Sequence, residues 1–171
     1  HMPHTEQLAT LIAEDPHQTT MAMAETLGLT EGALIRLLPA EWVTLWSGEQ
    51  AEALLLQLSQ WGALTTIVES DGSIFEFKGV LPAGKTARGY YNLMGDEGLH
   101  GHLKLDGITH IALLSKPFMG KESYAFAFIA ASGRCAFKIY LGRDADRRLL
   151  ADQVTRFQHW RQLDSLSATT V

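Results

Sequence analysis

The apolar residues of this chain recur at helical spacing near both ends and alternate with polar residues in the middle. Before about residue 60, leucine and alanine recur three or four positions apart, and Pro16, Gly28 and Pro39 interrupt the pattern. A period near 3.6 is typical of amphipathic helices, and proline and glycine commonly end them. We therefore predict a helical N-terminal part over about residues 5–60.

From about residue 63 to residue 141 the period falls to two, and β-branched and aromatic residues dominate. The Asp71-Gly72 pair is a hairpin turn signal between two such segments. Further strands are predicted near residues 88–94, 98–105, 108–115, 123–130 and 135–141. Because the connections between successive strands are short, the sheet is expected to be antiparallel.

A helical period returns after Asp144, which is placed to cap a final helix running to about residue 163. The whole pattern predicts one α+β domain over residues 1–171. Its parts are N-terminal helices, a large antiparallel β-sheet of about seven or more strands, and a C-terminal helix. A chain of this length suits a single domain that buries a sizeable core.

The composition indicates the cellular compartment in which the protein is expected. No apolar run approaches the roughly 18 residues that a membrane span needs, so no membrane insertion is expected. The N-terminus lacks the basic and then apolar order of a secretory signal. The single cysteine, Cys135, rules out an intramolecular disulfide and fits a reducing compartment. We expect a cytoplasmic location.

Residues 19–38 have the outline of a helix-turn-helix, with Gly28 in the turn. The first 50 residues carry seven acids against one base, Arg36, which is a net charge of −6. Neutralisation of phosphates by lysine and arginine supplies most of the affinity for nucleic acids. Because DNA would repel this segment, we interpret it as a packing unit and expect no nucleic-acid partner.

Residues 98–105 alternate cleanly, and His100, His102 and Lys104 share one face of the predicted strand. One interpretation is a solvent-exposed polar face, and a second is a zinc site, which would need further ligands. A third is haem binding, in which one imidazole binds the iron, a cation lies near a propionate and an apolar wall contacts the macrocycle. His100 and His102 cannot be trans ligands, because they project from the same side of one strand. The residues alone leave the three interpretations open.

Several blocks of the sequence together resemble the ChuX/HutX family, the cytosolic haem-utilisation carriers encoded with bacterial haem-uptake systems. The likeness covers nearly the whole chain, and the blocks occur in family order. The blocks are Trp61-Gly62 with Thr65-Thr66, Gly89-Tyr90-Tyr91-Asn92-Leu93, Gly101-His102 with Lys104, Thr109-His110-Ile111-Ala112-Leu113, Phe118-Met119-Gly120 and Lys138-Ile139-Tyr140-Leu141-Gly142-Arg143-Asp144.

The resemblance implies an α+β fold built on a large antiparallel sheet, and a homodimer. It also implies that the chain receives haem after import and passes it to a downstream haem-handling partner. The strand histidine of the family that is implicated in haem binding falls on His102. A second family histidine falls on Glu69, and a carboxylate is a poor replacement for imidazole on ferric haem.

The second axial ligand is therefore open. Tyr90 and Tyr91 are candidates, because phenolate is a known haem ligand, and Glu69 is the third. Strand alternation puts only one of the two tyrosines on the face of His102. The remaining candidates, for the pocket wall or for the propionates, are His100, Lys104, Arg88, Met94, Phe118 and Met119.

The leading hypothesis for function is a haem carrier and not an enzyme. No phosphate-binding loop, nucleophile elbow or Cys-His pair has supporting context, so no catalytic residue is proposed. The alternative is a haem-degrading or haem-modifying enzyme, since bound haem with an open coordination site could react. A DNA-associated regulator is less favoured. Apart from the haem iron, no metal is expected.

Overall fold

The computed structural model describes residues 3–117 and 120–166. Within those ranges, helices lie at both ends of the chain and one lies between the first two strands. They are α1 (His4–Glu14), α2 (Thr20–Leu27), α3 (Glu31–Ile35), α4 (Ala51–Leu58) and α5 (Ala151–Trp160), with 3-10 turns at Gly48–Gln50 and Leu105–Gly107. Thr19 and Thr30 cap α2 and α3 through their hydroxyls, as such residues commonly do. No helix in the described part of the chain is both long and apolar enough to cross a membrane.

The strands form two antiparallel sheets. They are β1 (Val43–Ser47), β2 (Ala63–Ser70), β3 (Ser73–Val80), β4 (Gly84–Ala87), β5 (Tyr90–Leu93), β6 (Gly101–Leu103), β7 (Ile108–Ser115), β8 (Tyr124–Ala130) and β9 (Cys135–Leu141). The large sheet has the order β1-β7-β8-β9-β2-β3, and the small sheet has the order β4-β5-β6. With helices before and after the strands, the predicted α+β class is confirmed.

Each face of the large sheet packs against a different layer. On one face, Leu64, Phe126 and Ile139 pack with α4, α5 and the small sheet in a single core. On the other face, Ala112 and Ala127 pack beneath the N-terminal helices. Because successive side chains of a strand point to opposite faces, each central strand contributes to both layers.

The helical prediction for residues 5–60 is wrong over residues 43–47, which form the edge strand β1. This segment pairs with β7, with Trp46 opposite Ile111. Trp46 is buried in the core, while its neighbours on either side are exposed. β-branched and aromatic residues in that alternation favour a strand.

The final helix begins later than predicted, at Ala151 and not at Asp144. Asp144 caps a tight turn instead, since its Oδ1 accepts hydrogen bonds from the backbone N–H groups of Asp146 and Arg148. Arg143 then bridges to Leu149, which brings the chain back before α5 starts. An aspartate offers the same carboxylate to a turn as to a helix, so the sequence signal is shared by both structures.

An ion pair fastens the N-terminal helices to the large sheet. The Lys138 ammonium on β9 lies 2.5 Å from the Glu31 carboxylate on α3, and both side chains are almost fully buried. The hydroxyl of Thr20 donates a further hydrogen bond to the same carboxylate. Burial is the largest single effect and lowers the pKa of Lys138, but the charge interactions with Glu31, Tyr140 and Cys135 and the hydrogen bond to Glu31 together outweigh it and raise that pKa to about 12. The Lys138 ammonium is therefore charged at neutral pH.

Removal of one partner of this pair should destabilise the protein. Lys138→Met leaves the Glu31 carboxylate buried with one hydroxyl donor, which we expect to lower the free energy of unfolding by about 3 kcal/mol. Glu31→Gln/Lys138→Met removes both charges and should recover more than half of that loss. Urea unfolding of the three proteins measures the difference. A double variant as unstable as Lys138→Met would contradict this account of the pair.

Candidate haem-binding site

The small sheet carries the predicted histidine face, but its strands are shorter than the sequence pattern indicates. The segment predicted as a strand at 88–94 is extended only over Tyr90–Leu93, because its first two residues, Arg88 and Gly89, form a two-residue turn with φ values of 55° and 82°. The segment predicted at 98–105 is extended only over Gly101–Leu103. The left-handed residues of the turn are typical of tight β-hairpins, so β4 and β5 form one hairpin with β6 beside it.

Tyr90, Asn92 and His102 project from the outer face of the small sheet. Asn92 on β5 lies directly opposite His102 on β6, and Tyr90 is two residues before Asn92 and so shares its face. The inner face carries Tyr91 and Leu93, which are buried in the main core. The inner face of the small sheet is therefore held by the core, and its outer face is exposed to solvent.

The Asn92 side chain orients the His102 ring. The Oδ1 atom of Asn92 lies 2.5 Å from the Nδ1 atom of His102. The amide nitrogen of Asn92 donates to the backbone carbonyls of Lys85, Ala87 and Tyr90, at 3.0 to 3.2 Å. Three acceptors around this nitrogen fix which end of the amide is the NH₂ group. The oxygen must then face His102.

This arrangement selects one tautomer of the neutral imidazole. Since Oδ1 of Asn92 can only accept, Nδ1 of His102 must be the protonated nitrogen that donates to it. The lone pair of a neutral ring is then on Nε2, which makes no hydrogen bond among the described residues. A histidine that binds a metal commonly has its other ring nitrogen held in this way by a neighbouring group. His102 is exposed, so Nε2 is accessible to a ligand from solvent.

Tyr90 and Lys104 surround His102 with an aromatic ring and a cation. The Tyr90 and His102 ring centroids are 6.0 Å apart, with an edge-to-face angle of 68°. The Lys104 ammonium lies 5.2 Å from the centre of the Tyr90 ring and 3.5 Å from the Asp106 carboxylate. Such a surface offers a metal ligand, a flat apolar contact and a positive charge for a carboxylate.

The other predicted pocket residues are distributed around this face. Met94 follows β5 on the Tyr90 side of the alternation and is 65% exposed. Arg88 lies in the β4–β5 turn. His100 precedes β6 and turns back, its Nδ1 lying 3.0 Å from the Gly98 carbonyl oxygen. Phe118 and Met119 lie outside the described residues.

Tyr91 is in the core and does not share the surface of His102. Its side chain is 1% exposed, and its ring lies over Gly84, where a Cβ atom would collide with it. Burial raises the pKa of the Tyr91 phenol. Because only the phenolate binds ferric iron well, both the position and the protonation state disfavour Tyr91. Of the two tyrosines, the structure brings only Tyr90 to His102.

Glu69 projects from the opposite face of the large sheet. Val68 beside it packs towards the main core, so Glu69 points towards the N-terminal helices. There its carboxylate lies 4.0 Å from the Lys138 ammonium. Glu69 lines an open cleft of about 770 Å³ between α2 and β3. Within one chain, the structure therefore does not bring Glu69 together with His102.

Asn92 is the site residue that sequence reasoning missed. It stands inside the block Tyr90-Tyr91-Asn92-Leu93, but nothing in the sequence states which residue lies opposite His102. The register of β5 against β6 supplies that information. In the part of the chain that the structure describes, no group of three or more His, Cys, Asp and Glu side chains is arranged to hold a metal ion.

The chain is similar to known proteins over most of its length. The sequence profile of the haem-utilisation ChuX/HutX family matches residues 44–160. The intracellular haem transport protein HutX of Vibrio cholerae is 52% identical over 158 residues, which cover 92% of this chain and 82% of HutX.

Solved structures show the same similarity. The haem-binding protein ChuX has a TM-score of 0.82 and 34% identity, covering 94% of this chain and 97% of ChuX. A protein from Erwinia carotovora has a TM-score of 0.86 and 34% identity, covering 95% of this chain and 98% of its own. Since the profile spans most of the chain and HutX matches nearly all of it, the chain belongs to the haem-utilisation ChuX/HutX family.

Proposed function

We propose that the protein is a haem carrier, and that His102 binds the iron through Nε2. The observation that carries the proposal is the hydrogen bond from His102 to Asn92, whose amide is held by three backbone carbonyls. It leaves the Nε2 atom of an exposed imidazole free to bind a metal. The names of HutX and ChuX, a haem transport protein and a haem-binding protein, support haem as the ligand.

In this proposal Tyr90 is the flat wall beside the iron site and Lys104 is a partner for a propionate. The Tyr90 and His102 rings are 6.0 Å apart and project from the same face. Two axial ligands must approach the iron from opposite sides of the macrocycle. Tyr90 and His102 project from the same face of one sheet, so we do not expect Tyr90 to be the second ligand. His100, Arg88 and Met94 border the same face and extend the contact.

An exposed axial ligand suits a carrier more than an enzyme. Haem on the open face of a sheet is reached by solvent and by another protein, so it can be handed over without unfolding of the carrier. Enzymes that activate oxygen on haem commonly enclose it, because the polarity and access of the distal pocket control the reaction. We propose that the chain acts in the cytoplasm as a homodimer and transfers haem to a downstream haem-handling protein.

Loss of the His102 imidazole should weaken haem binding strongly. For His102→Ala we expect the dissociation constant for hemin to rise on the order of 100-fold, equal to about 2.7 kcal/mol, with loss of the shifted Soret band. Glu69→Gln is the matched control, because Glu69 lies on another face and should leave binding unchanged. Absorption titration of the purified proteins with hemin measures both.

Two results would contradict the proposal. The wild-type protein could leave the Soret band of hemin unchanged, in which case it does not bind haem at this site. Alternatively, ascorbate and oxygen could bleach the bound haem and release iron, in which case the chain is a haem-degrading enzyme and not a carrier.

Asn92 should act as a positioning residue for His102. Nitrogen-15 NMR of the haem-free protein should show His102 protonated on Nδ1 in the wild type, and a shift towards Nε2 protonation in Asn92→Ala. We also expect the affinity for hemin to fall about tenfold, as is usual when the partner of a metal-binding histidine is lost. An unchanged tautomer in Asn92→Ala would show that Asn92 does not orient the ring.

Tyr90 should contribute its ring and not its hydroxyl group. Tyr90→Phe should retain the Soret band and the affinity of the wild type, whereas Tyr90→Ala should lower the affinity because the wall is lost. Resonance Raman spectra of the ferric complex provide the check. An iron–phenolate signal that disappears in Tyr90→Phe would make Tyr90, and not His102, the axial ligand.

A further inference from the structure

The hydrogen-bond partner of His102 is an uncharged amide and not a carboxylate. The Nδ1 atom of His102 donates to Oδ1 of Asn92, and the two atoms are 2.5 Å apart. None of the ion pairs among the described residues involves His102. Many metal-binding histidines donate instead to a carboxylate, which raises the basicity of the ring. His102 therefore offers a metal a neutral imidazole without that added electron density.

The β4–β5 hairpin favours an amide over a carboxylate at position 92. The amide nitrogen of Asn92 donates to three backbone carbonyls, those of Lys85, Ala87 and Tyr90. An ionised carboxylate has only acceptor oxygens, so its second oxygen would face these carbonyl oxygens with no hydrogen to share. The backbone of the hairpin thus supports an uncharged side chain as the partner of the histidine.

The charge of that partner matters because ferric haem iron carries one more positive charge than ferrous haem iron. A histidine that donates to a carboxylate takes on imidazolate character, which stabilises the ferric state more than the ferrous state. A histidine that donates to an amide stays neutral and gives the ferric state less of this stabilisation. Hydrogen bonding around the axial ligand is one of the ways in which a protein sets the reduction potential of haem. An amide partner therefore shifts the preference towards ferrous haem.

The other charges on this face have weaker effects. Lys85 on β4 lies directly opposite Asn92, so it shares the outer face, and it is exposed. The Lys104 ammonium lies 3.5 Å from the Asp106 carboxylate, which offsets its charge. Exposed charges are screened by water and salt, whereas the hydrogen bond acts on the ligating ring itself. Asn92 is therefore the residue expected to decide the preference.

We propose that Asn92 makes the site selective for the oxidation state of haem. Relative to ferric haem, ferrous haem is bound more tightly than it would be by a histidine with a carboxylate partner. Oxidation of the bound iron then weakens the hold of the carrier on its ligand. This inference rests on the proposed function, because it requires His102 to be the axial ligand.

Asn92→Asp tests the role of the partner's charge. At pH 8, about four units above the ordinary pKa of an aspartate, the new carboxyl is ionised, and the Nδ1–H group of His102 attracts it. We expect the ratio of the ferric to the ferrous dissociation constant to fall about tenfold, equal to a fall of about 59 mV in the reduction potential of the bound haem. Spectroelectrochemical titration measures that potential. An Asn92→Asp complex with the potential of the wild type would overturn the inference.

Two control variants separate the hydrogen bond from the added charge. Ala87→Asp adds the same charge at an exposed position on the outer face, opposite Tyr90, and leaves the partner of His102 in place. Asn92→Ala removes the partner but keeps the imidazole neutral, so its loss of affinity applies to both oxidation states. Each should change the ratio of the two dissociation constants less than about threefold, because an exposed charge is screened and a missing partner adds none. A fall in potential as large as that of Asn92→Asp in either control would overturn the role of the hydrogen bond.

The iron–histidine stretching frequency gives a second measurement that includes the unmodified protein. Resonance Raman spectra are recorded on the ferrous complex after photolysis of its carbon monoxide adduct, so that one axial ligand remains. A neutral imidazole forms a weaker bond to iron than an imidazolate does, so the frequency of the wild type should be lower than that of Asn92→Asp. A wild-type frequency equal to or above that of Asn92→Asp would overturn the inference.

The outcomes distinguish this inference from the proposed function. A hemin titration without a shifted Soret band, or binding that survives in His102→Ala, removes the axial role of His102 and this inference with it. Binding that is lost in His102→Ala, together with a potential that Asn92→Asp leaves unchanged, keeps the haem carrier and overturns the selectivity assigned to Asn92.

Discussion

The hydrogen bond between Asn92 and His102 is the interaction on which the proposed site depends. Its geometry needs three backbone carbonyls to hold the Asn92 amide, and these belong to the hairpin of β4 and β5. The hairpin in turn is held by Tyr91 and Leu93, which are buried beneath it. An exposed histidine would otherwise sample both tautomers and many rotamers. Here the fold determines which nitrogen is available to a metal before any ligand arrives.

The large sheet separates the molecule into two chemical environments. Its inner face packs against the small sheet that carries His102, and its outer face carries the buried Glu31–Lys138 pair and the cleft that contains Glu69. The Lys138 ammonium near Glu69 offers that carboxylate a partner within the protein. A role for Glu69 at the iron of its own chain has no geometric support. The cleft borders β3 and lies on the side of the large sheet away from His102.

Much of the fold could be predicted from the spacing of the apolar residues along the chain. Helices at both ends, the Asp71-Gly72 hairpin and the antiparallel strands all follow from local sequence, since local backbone preferences decide them. The errors have two different causes. Trp46 belongs to a strand because β7, which is distant in the sequence, lies beside it. Asp144 caps a local turn through the N–H groups of Asp146 and Arg148, and a carboxylate at that position suits a turn and a helix N-terminus alike.

The candidate site was predicted only in part, because one of its contacts depends on how two strands pair. Alternation places His102 and Lys104 on one face, and it shows that only one of Tyr90 and Tyr91 joins them, but it does not show which. The register of β5 against β6 places Asn92 opposite His102 and therefore puts Tyr90, and not Tyr91, on the same face. Pairing between strands is a non-local property, so no spacing rule within the chain reveals it.

The central claim is that the imidazole of His102 is bonded to the iron. Electron–nuclear double resonance of the ferric haem complex, prepared with nitrogen-15 histidine, tests it most directly, because a coordinated nitrogen couples to the unpaired electrons of the iron. We expect a strong nitrogen-15 coupling in the wild type that is absent from the complex of His102→Ala. A wild-type complex without that coupling, or a coupling that survives in His102→Ala, would contradict it.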